Sequence, residues 1–472
     1  MPFSIMLNSI MLFLNRTAEL GRLDALRNRP EGGLAVVFGR RRIGKTRLLV
    51  EWCRRHQGLY AVADQSAPGM QRRYLAEAVA TRFPGFADVD YRDWRSLFTR
   101  FAVEARAAHW HGPLVLDELP YWVAGSPELP SVLQRWIDHD AREAGLVVAI
   151  AGSSQRMMQG LALDRGAPLY GRAHALFEVG PLAPTWIPKA WATRLTPSET
   201  VDIYAAWGGV PRYWELASVH GRDTPLTVDR LVLDPGGPLH REPDRLLLEE
   251  VPSALEVRPV LDAVGAGAHR VSEMAGRLGR PATSLARPLD RLVELGLVTR
   301  DVPFGEPPRG SRRSLYRISD PFTRLWFQVV APNRGLLVSG TPAQRRRLLT
   351  RFWPRIVGEA WEQLTRERTP WLDHPLLGPA GTWAPAQRWW QGSAPEWDLV
   401  AEDATGTRLL LGESRSTASR LKEDVAEVGG RTLPDLPAKY RRHTIVRAIF
   451  VPETQRQTRI GDVIVVSLRH LL

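Results

Sequence analysis

LAVVFGRRRIGKTRLLVEWCRR, residues 34–55, places an apolar run, a glycine-bounded basic loop and a helix-length amphipathic stretch in immediate succession. Residues 39–46 satisfy G-x-x-x-x-G-K-[ST], and the spacing predicts a strand, a phosphate-holding loop and a helix. Gly39 and Gly44 permit the backbone conformations that aim amide groups at an anion, and the following helix N-terminus adds partial positive charge. Lys45 is expected to reach the β- and γ-phosphates of a nucleotide, and Thr46 to place its hydroxyl on Mg2+. The segment Gly39, Arg40, Arg41, Arg42, Ile43, Gly44, Lys45, Thr46 and Arg47 is expected to line the nucleotide. The three consecutive arginines occupy variable loop positions and add positive field, with direct contact to nucleic acid the lesser alternative. Only four of the 63 basic residues are lysines, so Lys45 is not a product of compositional drift.

Further along, PLVLDELPYW (113–122) is an apolar strand ending in Asp117 and Glu118. Beside such a loop, Asp117 is expected in the Mg2+ shell, and Glu118 is expected to orient the attacking water or accept its proton. LVVAIAGSSQRMM (146–158) ends in Ser153 and Ser154. Ser154 is a candidate polar sensor of the γ-phosphate, with a helix N-cap as the plainer reading. Met157 and Met158 read as core or lid packing. With LYAVAD (59–64) and ALFEVGPL (175–182), these runs alternate with helix-length segments, which argues an α/β fold with a parallel sheet over residues 13–182.

After residue 182 the pattern changes twice. Residues 183–250 carry helical spacing and read as a helical lid. Residues 251–330 give three short helical periods, a polar Gly/Pro/Arg segment and SLYRISDP, the pattern of a winged helix-turn-helix. Its recognition helix is expected at 282–294 with Arg287 and Arg291, and its wing carries Arg309, Arg312 and Arg313. Contact with DNA and interdomain packing are both open for this segment. Residues 331–472 read as a terminal α/β domain.

The 472 residues are 44% apolar and 24% charged, with a net charge of +12. A disordered chain is excluded, and the basic excess favours a polyanionic partner, double-stranded DNA being the expected one. Cys53 is the sole cysteine, which excludes an internal disulfide framework and a cysteine-based zinc cluster. The apolar opening MPFSIMLNSIMLFL lacks a charged n-region and a small-residue cleavage site, so it is not read as a signal peptide, and Met6 and Met11 are alternative starts. No membrane partner is expected, and a cytoplasmic location is.

GRRRIGKT, LDELPYW, GSSQRMM, APLYGR and GGVPRYWEL, preceded by FLNRTAEL (13–20), resemble in order the motifs of archaeal-type P-loop ATPases of the STAND class, relatives of AAA+ proteins. The resemblance implies a P-loop NTPase sheet with a lid, an ATP- and Mg2+-dependent switch and a nucleotide-dependent oligomer. It places Pro211 at the lid near the base, and Arg172 as a phosphate-sensing arginine, against the plainer reading of a surface arginine. WWQGSAPEWDLVAED (389–403) and LLLGESRS (409–416) resemble the family's terminal domain, which looks like a PD-(D/E)xK nuclease core. That implies a second metal site at Asp398 and Glu413, with Glu362 the helical glutamate. The expected lysine is Arg415, which cannot shuttle a proton, so a degenerate binding or assembly module is favoured over cleavage. The expected function is an ATP-hydrolysing switch associated with DNA. The alternatives are an ATP-controlled DNA endonuclease and a nucleotide-gated transcription regulator.

Overall fold

The apolar run before the glycine-bounded loop is strand β1 (Gly33–Phe38) of a computed structural model that describes residues 13–153, 158–251, 254–307, 311, 313–392, 394–454 and 458–472. β1 lies inside a parallel sheet with β2 (Leu59–Val62), β3 (Pro113–Asp117), β4 (Val147–Gly152) and β5 (Ala173–Glu178), in the order β2-β3-β4-β1-β5. The interior positions of β1, β3 and β4 are buried, which is why these strands read as unbroken apolar runs instead of alternating ones. Because all five strands run the same way, the chain leaves β1, β3 and β4 at one edge of the sheet, where a ligand crevice forms in such folds.

Helices α1 (Thr17–Arg27), α2 (Lys45–His56), α3 (Pro68–Ala80), α4 (Trp94–Ala107), α5 (Leu119–Gly125) and α6 (Leu129–Trp136) complete this part of the chain. Asp93 caps α4 by accepting the Ser96 amide, and the buried face of that helix is aromatic. Trp94 stacks on Trp122 of α5 with ring centres 5.4 Å apart, and Phe98 meets Trp136 of α6 at 4.9 Å. Each such ring removes about 150–250 Å² from water, worth roughly 4–6 kcal/mol before the entropy of ordering is subtracted. Helices and sheet form one compact unit, the chain up to Leu182 together with Val210–Arg212.

The second unit comprises residues 183–209 and 213–472. Its first part is helical, as expected, with α7 (Pro197–Trp207), α8 (Pro211–Ser218, whose first two residues belong to the first unit) and α9 (Glu242–Glu250). Thr196 and Glu199 form a reciprocal capping box that starts α7. Three helices follow, α10 (Ala254–Gly265), α11 (Val271–Leu278) and α12 (Ala286–Glu294), and then an antiparallel hairpin of β6 (Val298–Asp301) and β7 (Leu315–Ile318). Val257, Val260, Leu261, Val264, Met274, Leu285, Leu289 and Leu292 are among the buried positions of the three helical periods.

The 27-residue α13 (Pro342–Arg368) leads to a mixed six-stranded sheet. Its elements are β8 (Gln387–Trp389), β9 (Trp397–Glu402), β10 (Arg408–Ser414), helix α14 (Leu421–Gly430), β11 (Thr444–Val451), β12 (Arg459–Ile460) and β13 (Val463–Ser467). The order is β12-β13-β11-β10-β9-β8, with β10, β11 and β13 parallel and the other pairings antiparallel. Trp361 seats α13 on this sheet, its buried indole donating to the Phe450 carbonyl at 3.1 Å.

The segments expected as lid, winged helix and terminal domain are all tied to one another within this unit. The Trp326 indole donates to the His240 carbonyl at 2.7 Å, and the Tyr204 hydroxyl to Glu367 at 3.2 Å. Phe304, just beyond β6, is 8% exposed and belongs to the core of the terminal sheet. Its amide donates to the Arg388 carbonyl at 2.7 Å and its ring lies 5.0 Å from that of Tyr440. Phe304→Ala should therefore weaken the second unit by about 3 kcal/mol, the usual cost of emptying a buried phenylalanine site. Hydrogen exchange checks this, with faster exchange expected in β8 and β9 and unchanged exchange in β1 and β3.

Candidate functional site

At the carboxyl edge of the first sheet, the sequence forces a tight loop between β1 and α2. Gly39 has φ +141°, and a Cβ there would lie 2.6 Å from the Val179 carbonyl oxygen. Gly44 has φ +97° and is the N-cap residue of α2, offering no side-chain cap to the helix's first turn. Both positions call for glycine, one for space and one for conformation. Arg42 also has positive φ, at 65°, which costs an ordinary residue about 1 kcal/mol or more and marks the loop as held under constraint.

The side chains of the loop are engaged with their own scaffold. Lys45 is 5% exposed, and its ammonium donates to the carbonyls of Gly39 at 2.8 Å and Arg40 at 3.1 Å. Those carbonyls satisfy the charge where a phosphate would. Ile43 is buried, and its carbonyl accepts from the Arg16 guanidinium at 2.9 Å. Arg16, itself 5% exposed, is steadied by Glu19 at 2.9 Å. The arginine and glutamate of FLNRTAEL thus brace the back of the loop.

Asp117 ends β3 with no exposed surface. Its Oδ2 accepts from the Thr46 hydroxyl at 2.8 Å and from the Tyr60 hydroxyl at 2.7 Å, and its Oδ1 accepts from the Glu118 amide at 2.9 Å. Burial and the Asp117 charge push the Tyr60 phenol far above its ordinary range, so it stays a donor. Thr46 gives its proton to Asp117 and keeps its oxygen lone pairs, and the hydroxyl and carboxylate together are hard oxygen ligands suited to Mg2+.

Glu118 has φ +52° and is the N-cap residue of α5. A left-handed glutamate at a strand-to-helix corner is a strained position of the kind found where side chains must be aimed. The Ser153 hydroxyl donates to Glu118 Oε2 at 2.9 Å and the Ser153 amide to the same oxygen at 3.2 Å. Ser153 at the end of β4 is thus the polar partner of Glu118; Ser154, the expected sensor, and Met157 lie outside the described residues. Met158 is fully buried, as its packing role required.

Pro211 comes within 3.7 Å of where a Gly44 Cβ would stand, so the expected lid residue does meet the loop. Arg172, the expected phosphate-sensing arginine, is held by Asp138. Its guanidinium forms a two-pronged pair with that carboxylate, at 2.8–3.0 Å, and also donates to the Pro168 carbonyl. Sequence reasoning missed Tyr60, which reads as one more strand residue, and gave Arg16 no part in supporting the loop.

In the second unit, Arg287 on α12 is exposed, whereas Arg291 is half-buried and donates to Glu294 at 3.2 Å. Arg313 pairs with Glu306 and donates to the Trp390 carbonyl at 3.5 Å; Arg309 and Arg312 lie outside the described residues. On the terminal sheet, the Asp398 carboxylate of β9 accepts the Ser414 amide at 3.0 Å. Glu413 of β10 is bound by the guanidinium groups of Arg415 and Arg431. Arg415 is held further by Asp424 at 3.3 Å and Glu427 at 3.5 Å. Among the described residues, no group of three or more His, Cys, Asp or Glu side chains is set to hold a metal ion. Of the two carboxylates expected to share a metal, Glu413 is ion-paired with arginines, and the charge of Asp398 is felt by both Glu413 and Glu362.

Residues 13–216 match the family described as an ATPase domain predominantly from Archaea. An uncharacterized protein of Methanocaldococcus jannaschii is 26% identical over 337 residues, covering 70% of this chain and 71% of its own length. Among solved structures, the Walker-type ATPase of Pyrococcus abyssi is similar with a TM-score of 0.52 and 18% identity, over 67% of this chain and 96% of its own. The ORC2 protein of Aeropyrum pernix, solved as ADPNP–ADP complexes, gives a TM-score of 0.45 and 12% identity, over 70% and 96%. The first unit therefore carries an ATPase domain, and the Pyrococcus likeness extends the shared fold beyond it. Among the described residues no helix is long and apolar enough to cross a membrane.

The terminal-sheet cluster has a pH signature. Burial, and next the Asp398 charge, push the Glu362 carboxyl on α13 up to about 7, against the pull of Arg366 and Arg317. A carboxyl raised in the folded state binds its proton more tightly there than in the unfolded chain. The resulting destabilisation is absent below about pH 4.5, grows as pH rises and is complete above about 7. Glu362→Gln should therefore leave stability at pH 4 nearly unchanged and raise it at pH 8 by on the order of 2 kcal/mol. Urea midpoints across that range check it, and a variant that tracks the parent at every pH removes Glu362 from the account.

Proposed function

We propose that the first unit binds and hydrolyses ATP as a molecular switch of the STAND type, and that the second unit couples the nucleotide state to DNA. The observation that carries the first half is the hydrogen bond from Thr46 to Asp117, 71 residues apart in sequence. It sets the loop hydroxyl and the strand-end carboxylate side by side, with Lys45 in the loop and Glu118 at the adjoining corner.

In this reading the β- and γ-phosphates of ATP replace the Gly39 and Arg40 carbonyls as partners of Lys45. Arg16 keeps the loop in shape by holding the Ile43 carbonyl from behind. Thr46 and Asp117 would hold the Mg2+ that accompanies ATP, and the ion would supply positive charge to the phosphates. Glu118, once free of Ser153, orients the attacking water and accepts its proton. Ser153 thereby keeps the base disengaged until the γ-phosphate offers it another partner. Pro211 abuts Gly44, so residues 210–212 are placed to follow the loop.

Lys45→Ala should weaken ATP binding by about two orders of magnitude, as expected for losing a charged hydrogen-bond donor. Glu118→Gln should keep binding and slow hydrolysis by about 10²-fold or more. Nucleotide titration followed by single-turnover hydrolysis separates the two, and equal turnover in Glu118→Gln and parent removes Glu118 from the mechanism.

For the second unit, three helices and a hairpin with an exposed Arg287 on the last helix support a winged helix-turn-helix that grips duplex DNA through α12. The basic excess of the chain supports the same partner. Between nuclease and assembly module, the ion-paired Glu413 and Arg415 favour the module. DNA affinity should fall with salt at about −0.9 in log–log slope per phosphate contact. Arg287→Ala should reduce that slope by about one contact, whereas Arg313→Ala, whose charge is already paired, should leave it unchanged. Equal slopes for Arg287→Ala and parent would make this segment purely structural.

A further inference from the structure

We infer that Tyr60 is a positioning residue for the carboxylate that holds the metal in this site, an assignment that rests on reading the first unit as a Mg2+-dependent nucleotide site. Tyr60 lies on β2, at the sheet edge, in parallel register with Val115 of β3, two residues short of Asp117. Its side chain is buried, and its hydroxyl reaches Asp117 Oδ2 at 2.7 Å. The carboxylate is thereby fixed by donors from three directions: Thr46 on the loop helix, the Glu118 amide beyond its own strand, and Tyr60 on the neighbouring strand.

These donors are not equivalent. Thr46 belongs to the loop that closes on phosphate, and its hydroxyl serves the metal as well. The Glu118 amide belongs to the corner that must adjust when Glu118 leaves Ser153. Tyr60 stands on the sheet itself, outside both the loop and the corner, although its hydroxyl also meets that of Thr46. It holds Oδ2 from the side of the strand. A carboxylate with this outer support meets the metal already oriented, and ligands lacking such support bind more weakly. A purely packing role for Tyr60 would predict something else: loss of the hydroxyl would disturb metal and nucleotide alike, or neither.

The test uses the full chain and Tyr60→Phe, which keeps the ring. Mn2+ binding to the protein–ADP complex is measured by the loss of free Mn2+ signal in electron paramagnetic resonance. ADP affinity is measured separately in EDTA, and the melting curve reports folding. The expected result is Mn2+ binding weakened by about ten-fold, with metal-free ADP affinity within about two-fold of the parent. In an Asp117→Asn background, Tyr60→Phe should have no further effect on Mn2+. Unchanged Mn2+ binding, an equal loss of Mn2+ and metal-free ADP affinity, or full additivity with Asp117→Asn overturns the positioning role. A parent chain that binds no ADP overturns the nucleotide reading itself, which is a different outcome from any of these.

Discussion

A carboxylate with no exposed surface is costly unless every oxygen is met by a donor, and Asp117 at the end of β3 is such a group. Its solution organises the first unit. Thr46 comes from α2, so the helix must begin immediately after Gly44. Tyr60 comes from β2, so the edge strand must pair in parallel with β3. The Glu118 amide turns in on Oδ1, so the chain must take a left-handed step before α5. Loop, edge strand and the corner before α5 all converge on one buried carboxylate.

The same economy appears in Lys45. A buried ammonium needs acceptors, and two loop carbonyls answer that of Lys45, which is 5% exposed. The loop therefore keeps its shape by binding its own lysine. Arginines elsewhere in the chain are held in ion pairs between residues distant in sequence: Arg172 with Asp138, Arg345 with Asp229 and Asp234, Arg431 with Glu413. Much of the positive charge that composition suggests for a polyanion is already committed inside the fold.

Most of the sheet was legible because its strands are buried on both faces and so announce themselves as apolar runs. Asp117 and Glu118 were legible because a pair of acids closes one of those runs at the expected distance from GRRRIGKT. Tyr60 was not, since an aromatic residue in LYAV fits a strand equally well with or without a partner for its hydroxyl. Arg172 was assigned from motif order, and nothing near it in sequence points to Asp138, 34 residues earlier. The arginine embrace of Glu413 depends on Arg431, which comes from beyond α14 and carries no motif. Local spacing encodes elements and the residues at their ends, whereas pairings across the fold are set only when the elements meet.

Phe304 shows what such a long-range pairing does mechanically. The hairpin of β6 and β7 is pinned to the sheet that begins at β8 by the Phe304 ring, its backbone hydrogen bond and the Arg313 contact with Trp390. Shifting the hairpin relative to that sheet would therefore mean drawing a buried ring out of the sheet's core, so the two positions are linked by the cost of exposing Phe304.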